Sequence, residues 1–378
     1  MNPPRTELIR TEGELLRLLA GIRAEPLVAL DTEAASFHRY HDRVYLLQVS
    51  TRDQTWIVDP LAVGGLPGVD ALLGDPAVEI VFHDGDYDLR LLAHEFGYRA
   101  RHLFDTRIAA QFAGETAVGL AALLEKYFGV TLDKRFQRAD WSERPLSRSM
   151  LDYAATDTRH LPALRDRLRE KLQAAGRLGW AEEEFSLLEA VRWDDPDPPE
   201  VAALEAKGAR ALKPRELAVF REVFRWRDQL ARKLDRAPFR IAGNETLFAL
   251  ARAQPATPEE LRRIRGMSRE IREREEPAIL AAVRKGTALP EDDLPRYPKP
   301  ERRRYDPRFE ARLDRLRETR EALVSRIGLP PGLLAPNWLL ESVARLAPQT
   351  DEELAGVPGL RQWQREVIGD QLIASVKK

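Results

Sequence analysis

The run Leu27–Glu33, LVALDTE, is apolar for four residues and then closes on two acids, Asp31 and Glu33, with Thr32 between them. On an extended strand residues i and i+2 share a face, so both carboxylates point one way and Thr32 the other. Two desolvated carboxylates side by side repel each other, and they stay ionised only with something cationic between them. Acids at strand ends are otherwise commonly just solvated. The pair therefore acquires a chemical meaning only from what the rest of the chain brings to it.

Two further segments bring acids. VFHDGDYDLRLL places His83 and Asp84 at the end of a strand, then Asp86 and Asp88 at the start of a helix. Asp86 is the expected N-cap, and Asp88, half a turn on, is expected to face the sheet edge with Leu91 or Leu92. LDYAATDTRHL places Tyr153 and Asp157 at i and i+4, one above the other on a helix face.

The elements that must position these side chains follow from periodicity. PLVALDTE, VYLLQVST, TWIVDP and VEIVFHD are short apolar runs rich in Val, Ile and Leu, and they predict strands, the first three joined as hairpins. GDYDLRLLAHEFG and GLAALLEKYFG predict helices that stop at glycine, and residues 148–176 a long helical segment that Pro162 kinks or divides. Strands interleaved with helices make an α/β domain, a mixed sheet covered by helices. Beyond Gly179 the pattern is helical, interrupted by two proline-rich connectors, WDDPDPPEV and LPEDDLPRYPKPERRRYDP.

The helical part repeats itself. GNETLFALARAQPATPEELRRIRG aligns without gaps to PNWLLESVARLAPQTDEELAGVPG at an offset of 93 residues, pairing Asn244 with Asn337, Pro255 with Pro348, Thr257 with Thr350 and Gly266 with Gly359. Amphipathicity alone does not hold Asn, Pro, Thr and Gly in one register, so these are two copies of one small domain. The expected division is 1–176, an acidic linker 177–209, a first copy 210–290, a connector 291–304 and a diverged second copy 305–378.

The chain has 378 residues, 43% hydrophobic and 32% charged, with net charge −1 and no cysteine. That length predicts two or three domains. No stretch reads as a membrane span and MNPPRTELIR lacks a signal-peptide core, so a cytoplasmic monomer is expected, without disulfides or thiolate metal sites. Charge is uneven: residues 210–290 carry 19 basic against 11 acidic residues, net +8, and residues 291–378 carry 16 against 15. The first copy is thus the expected polyanion contact, with Arg302, Arg303 and Arg304 a possible basic face of the second.

Asp31-x-Glu33, His83-x4-Asp88-Leu89 and Tyr153-x3-Asp157, in this order, resemble the three motifs of the DEDD exonuclease superfamily, tyrosine subtype. Asp152 stands where the histidine subtype carries its histidine, and His160 is misplaced for that role. FDTRIAAQFAG, GLAALLEKYFGVTLDKRFQRADWSERPLS and YAATDTRHLPAL resemble the ribonuclease D family, and the repeats resemble its C-terminal helical (HRDC) domains.

The resemblance implies a ribonuclease-H-like α/β exonuclease domain followed by two small all-α HRDC domains. It implies two divalent ions, Mg²⁺ or Mn²⁺, on Asp31, Glu33, Asp88 and Asp157, which suits an oxygen-only donor set. Tyr153 is expected to orient the attacking water, since a phenol is a poor base at neutral pH. The implied reaction is 3′→5′ hydrolysis of RNA with a free 3′ end, tRNA precursors above all, releasing nucleoside 5′-monophosphates. A DNA exonuclease and a binding scaffold with a dead site are the alternatives. Thr32, Phe37, Gln48 and His83 are assigned to substrate contact or to support of the ligands. Ala34 departs from the aromatic common after the first-motif Glu. Phe37 is a substitute wedge or, as apolar aromatics more often are, core.

Overall fold

The computed structural model describes residues 6–133, 135–297 and 306–377. Arg302, Arg303 and Arg304 and part of the second connector lie outside them.

Six strands form one mixed sheet: β1 (Thr6–Ile9), β2 (Leu27–Glu33), β3 (Leu46–Ser50), β4 (Thr55–Val58), β5 (Glu79–Phe82) and β6 (Leu103–Asp105), in the order β1-β4-β3-β2-β5-β6. β3 runs antiparallel to both its neighbours, and every other pair is parallel. The antiparallel pairs are the expected hairpins. β2 lies inside the sheet, and Leu27–Leu30 are buried on both faces, which is why its apolar run does not alternate. β1 and β6, four and three residues long at the sheet edges, are too short to carry a recognisable period.

Around the sheet lie α1 (Glu12–Ile22), α2 (Asp86–Phe96), α3 (Thr106–Phe112), α4 (Leu120–Phe128), α5 (Arg148–Arg159), α6 (Leu161–Ala174) and α7 (Leu178–Leu188). α2 and α4 stop at left-handed glycines, Gly97 and Gly129. Pro162 sits in the first turn of α6, where its missing N–H costs nothing, so it starts a helix instead of kinking one. The N-cap of α2 is Gly85, not Asp86; the Asp86 carboxylate accepts from Arg90 Nε at 2.7 Å instead.

The helical repeats are α8 (Pro214–Leu234), α9 (Asn244–Ala253) and α10 (Arg269–Thr287), then α11 (Pro307–Ile327), α12 (Asn337–Leu346) and α13 (Gln362–Lys377). Their shared polar residues have shared work. Arg227 Nη1 donates to Asn244 Oδ1 at 2.8 Å and to the Ala242 carbonyl at 3.1 Å; Arg320 Nη1 donates to Asn337 Oδ1 at 2.8 Å and to the Ala335 carbonyl at 3.0 Å. Thr257 and Thr350 each cap a short helix, accepting from the N–H three residues on.

The two repeats are docked differently. The core of the first is its own cluster, which the helix Pro199–Glu205 completes through Ala203. The core of the second is continuous with that of the exonuclease domain. The join is made on α7: Trp363 stacks on Trp180 (5.4 Å), meets Phe112 edge-on (5.2 Å) and donates Nε1–H to Glu184 at 3.1 Å, while Glu183 accepts the Gln362 and Trp363 N–H groups. Trp363→Ala is therefore expected to destabilise the whole molecule by about 3 kcal/mol, read as a lower urea midpoint followed by tryptophan fluorescence. Loss confined to the second repeat, with exonuclease unfolding unmoved, would show that the join carries no stability.

Candidate active site

Asp31 and Glu33 end β2 at a cleft of about 600 Å³ that Thr32, His83, Asp84, Tyr153 and Asp157 also line. Oxygens of Asp31, Glu33 and Asp157 lie within 4.8 Å of one another. Asp88 is not one of that trio. It is buried at the start of α2, where its Oδ1 accepts both the Thr32 N–H (2.9 Å) and the Thr32 hydroxyl (2.5 Å). The residue between the two strand acids is thus the one that anchors the acid of the second motif.

Each element is held by a local device. α2 can begin where it does because Gly85 has no side chain: a Cβ there would come within 2.6 Å of the Phe82 Cβ. The Gly85 N–H donates to buried Asp105 at 2.8 Å, and Asp105 also caps α3. His83 contacts the Thr106 hydroxyl through Nδ1 at 2.9 Å, and burial pulls its imidazole down to about 4, so it is neutral at physiological pH. α5 lies close on the sheet through fully buried Ala154 and Ala155. A buried hydroxyl chain, Thr158 to Ser50 to Thr55 at 2.8 Å each, fixes its rotation. Tyr153 packs between Phe136 and Trp141.

Gln48, cross-strand partner of Asp31, is fully buried. Its Nε2 makes a long 3.5 Å contact with Glu33 Oε1, and its Oε1 has no partner among the described residues. Phe37 is not core: it is 43% exposed and does not line the cleft. It follows β2 on a loop that turns outward to the first repeat.

Burial and mutual repulsion raise the acids of this cluster together. Burial, then repulsion from Asp88, Asp157 and Glu33, holds Asp31 well above the usual carboxylate range. Burial and then Asp157 and Asp88 do the same to Glu33. Burial lifts Asp88 to about 6 against the Thr32 hydrogen bonds, and lifts Asp157 to about 7 against the Tyr153 hydroxyl. Burial and the acids Asp157, Glu33 and Asp31 push the Tyr153 phenol up. A divalent cation is the group that relieves such a cluster, and an oxygen-only donor set suits a hard one.

A pH dependence follows for the metal-free protein. An unperturbed aspartate titrates near 4, and Asp157 near 7 in the native state. Below about pH 4 both states hold the proton and Asp157 costs nothing. Between the two values only the native state keeps it, so stability falls as pH rises, with the cost complete above about 7. With chelator present, Asp157→Asn should match its parent at pH 4 and exceed it by on the order of 4 kcal/mol at pH 8. Urea midpoints at the two pH values test this, and a constant offset would mean that Asp157 is not held in its protonated form.

The far wall of the cleft contains residues not singled out from sequence: Gly119–Ala122, where α4 begins, and Leu132, Asp133 and Gln137. They lie in the long stretch that carried the family resemblance; Asp133 is a carboxylate, but it stands alone there without the paired spacing that marked Asp31 and Glu33. α4 is tied to α6 by buried Glu115, bonded to Lys126, Lys171 and the Tyr127 hydroxyl. Burial alone would raise this carboxyl, but those partners hold it down at about 2. Arg144 pins the following segment, donating to Asp59 Oδ2 at 2.7 Å and to the Tyr45 carbonyl at 3.0 Å.

The sheet brings Asp31 and Glu33 to a cleft that Asp157 also lines, and the family comparison gives the class of protein, a 3′–5′ exonuclease. The 3′-5′ exonuclease family model matches residues 6–173, and the HRDC domain model matches 216–283 and 309–376. The chain is 34% identical to ribonuclease D of Gluconacetobacter diazotrophicus over 98% of its own length and 93% of the relative's. It is also 34% identical to ribonuclease D of Escherichia coli over 76% and 77%. The crystal structure of E. coli RNase D, described as an exoribonuclease involved in structured RNA processing, superposes with a TM-score of 0.73 at 28% identity, covering 99% of each chain. The chain belongs to the ribonuclease D family and is a hydrolytic 3′–5′ exoribonuclease. No helix among the described residues is long and apolar enough to cross a membrane.

Proposed function

We propose that the protein trims the 3′ ends of structured RNA, tRNA precursors in particular, releasing nucleoside 5′-monophosphates. Asp31, Glu33, Asp88 and Asp157 would hold two divalent cations. When bound, such ions supply the charge that stabilises the attacking and leaving oxygens of an in-line displacement. The observation that carries this reading is the convergence of three carboxylates within 4.8 Å on a cleft that Tyr153 also lines.

The chain's own groups do the rest. Thr32 fixes one Asp88 oxygen and leaves the other available. Gln48 steadies Glu33 from beneath the site. The phenol of Tyr153, pushed above its ordinary range by burial and then by the neighbouring acids, keeps its proton at neutral pH. It therefore acts by orienting a water rather than by taking its proton. The net charge of +8 over residues 210–290 supports RNA capture by the first repeat. The structured-RNA role stated for the E. coli relative supports the choice of substrate.

The deciding experiment is digestion of an end-labelled tRNA precursor, with matched single-stranded RNA and DNA, in Mg²⁺, in Mn²⁺ and in chelator. Metal-dependent release of 5′-monophosphates from RNA is expected. Release of 3′-monophosphates, or turnover in chelator, would refute the reading.

A further inference from the structure

The loop that leaves β2 carries Phe37 away from the cleft and against the first helical repeat. Its ring meets Phe239 edge-on, with centroids 6.3 Å apart and planes at 74°. Both rings are large exposed apolar groups, Phe37 43% and Phe239 55% accessible. The edge-on contact and the arginine over Phe37 cover part of each ring, yet both residues remain about half exposed where the two domains meet. Two guanidiniums stand with them. Arg138 lies over the Phe37 ring at 5.0 Å, and Arg240 donates Nε–H to the Phe37 carbonyl at 2.6 Å. Neither is in an ion pair with a carboxylate among the described residues, whereas the neighbouring Asp140 is taken by His38 and Arg39.

The position of this cluster gives it a direction. Gln137, the residue before Arg138, lines the catalytic cleft. His38, the residue after Phe37, is joined to the Arg138 carbonyl through Nε2 at 2.9 Å, and its own carbonyl accepts the Ala237 N–H at 3.0 Å. The cluster thus adjoins the cleft along the chain, Gln137 lining the cleft and Arg138 the next residue, on a surface built half from the exonuclease domain and half from the first repeat. Half-exposed aromatic rings beside guanidiniums that have no carboxylate partner among the described residues suit single-stranded nucleic acid: bases stack on the rings and phosphates meet the arginines.

We propose that Phe37, Phe239, Arg138 and Arg240 form a composite platform for single-stranded RNA, receiving nucleotides upstream of the 3′-terminal one. The proposal rests on the reading that the cleft holds the 3′ end. Because the platform is shared, it ties substrate length to the placement of the first repeat. RNA too short to leave the cleft gains nothing from it, while a longer single-stranded tail is gripped by both domains at once.

The test separates stacking from domain adhesion by using leucine, which keeps apolar contact and removes the π-face. In the doubly substituted protein, Phe37→Leu with Phe239→Leu, KM for a single-stranded 12-mer should rise roughly ten- to a hundredfold. kcat should change far less, and the preference for the 12-mer over a trinucleotide should collapse. In an Asp31→Asn background, RNA carrying 2-aminopurine at successive positions from its 3′ end should show a second zone of quenching inside the chain, lost with the two leucines. Arg138→Gln and Arg240→Gln should each reduce the slope of log Kd against log salt by about 0.7. Unchanged length preference and unchanged internal quenching in the leucine protein would overturn the platform. If the parent protein itself shows no metal-dependent cleavage of the 12-mer, the reading of the cleft fails first and the platform with it.

Discussion

Asp31→Asn is expected to lower single-turnover release of nucleotides from RNA by at least about 10³. The amide keeps the shape of the carboxylate but removes a charged ligand, and losing part of the transition-state stabilisation that bound cations supply costs several kcal/mol, at about 1.4 kcal/mol per tenfold. The fold should not suffer. In chelator at neutral pH the variant should be at least as stable as its parent, because Asp31 is half-buried beside Asp88, Asp157 and Glu33 and held well above its ordinary range. The pairing of dead activity with undiminished stability is the signature to look for. Turnover like the parent's would remove Asp31 from the site, and a variant that fails to fold would contradict the electrostatics.

Tyr153→Phe should lower turnover by roughly 10²–10⁴, the range of a positioned proton-handling group. The ring keeps its packing on Phe136 and Trp141, so only the hydroxyl is deleted. Stabilisation of the protein by added Mn²⁺ should be unchanged, since the hydroxyl is not assigned as a ligand. Collapse of that stabilisation would show that Tyr153 acts on the acid cluster itself and not on the water.

Much of this was legible in the chain before any coordinates. Acids two apart on a strand share a face whatever the fold, so Asp31 and Glu33 could be read as a pair, and Tyr153 with Asp157 likewise on a helix. The repeat was legible because its Asn, Thr and Gly each answer a backbone requirement: a helix-start contact to arginine, a cap and a left-handed turn. The arginines that hold the two asparagines, Arg227 and Arg320, lie 17 residues earlier, outside the aligned window. Asp86 was misread as a cap because its type suits one. The glycine before it won, since only glycine tolerates the contact with Phe82.

Local pattern by itself thus determined the strands and helices that bear the chemistry, the residue types at the site and the duplication of the helical domain. These depend on periodicities of two and 3.6 residues and on backbone preferences that act within a few positions. Tertiary structure alone decided that Asp88 is held by Thr32, that Phe37 leaves the core for the first repeat, and that the second repeat merges its core with the exonuclease domain through Trp363 and Trp180. Each of those is a contact between residues far apart in the chain. Which partner a buried oxygen or an aromatic face finds depends on the packing of whole elements, and no local pattern encodes it.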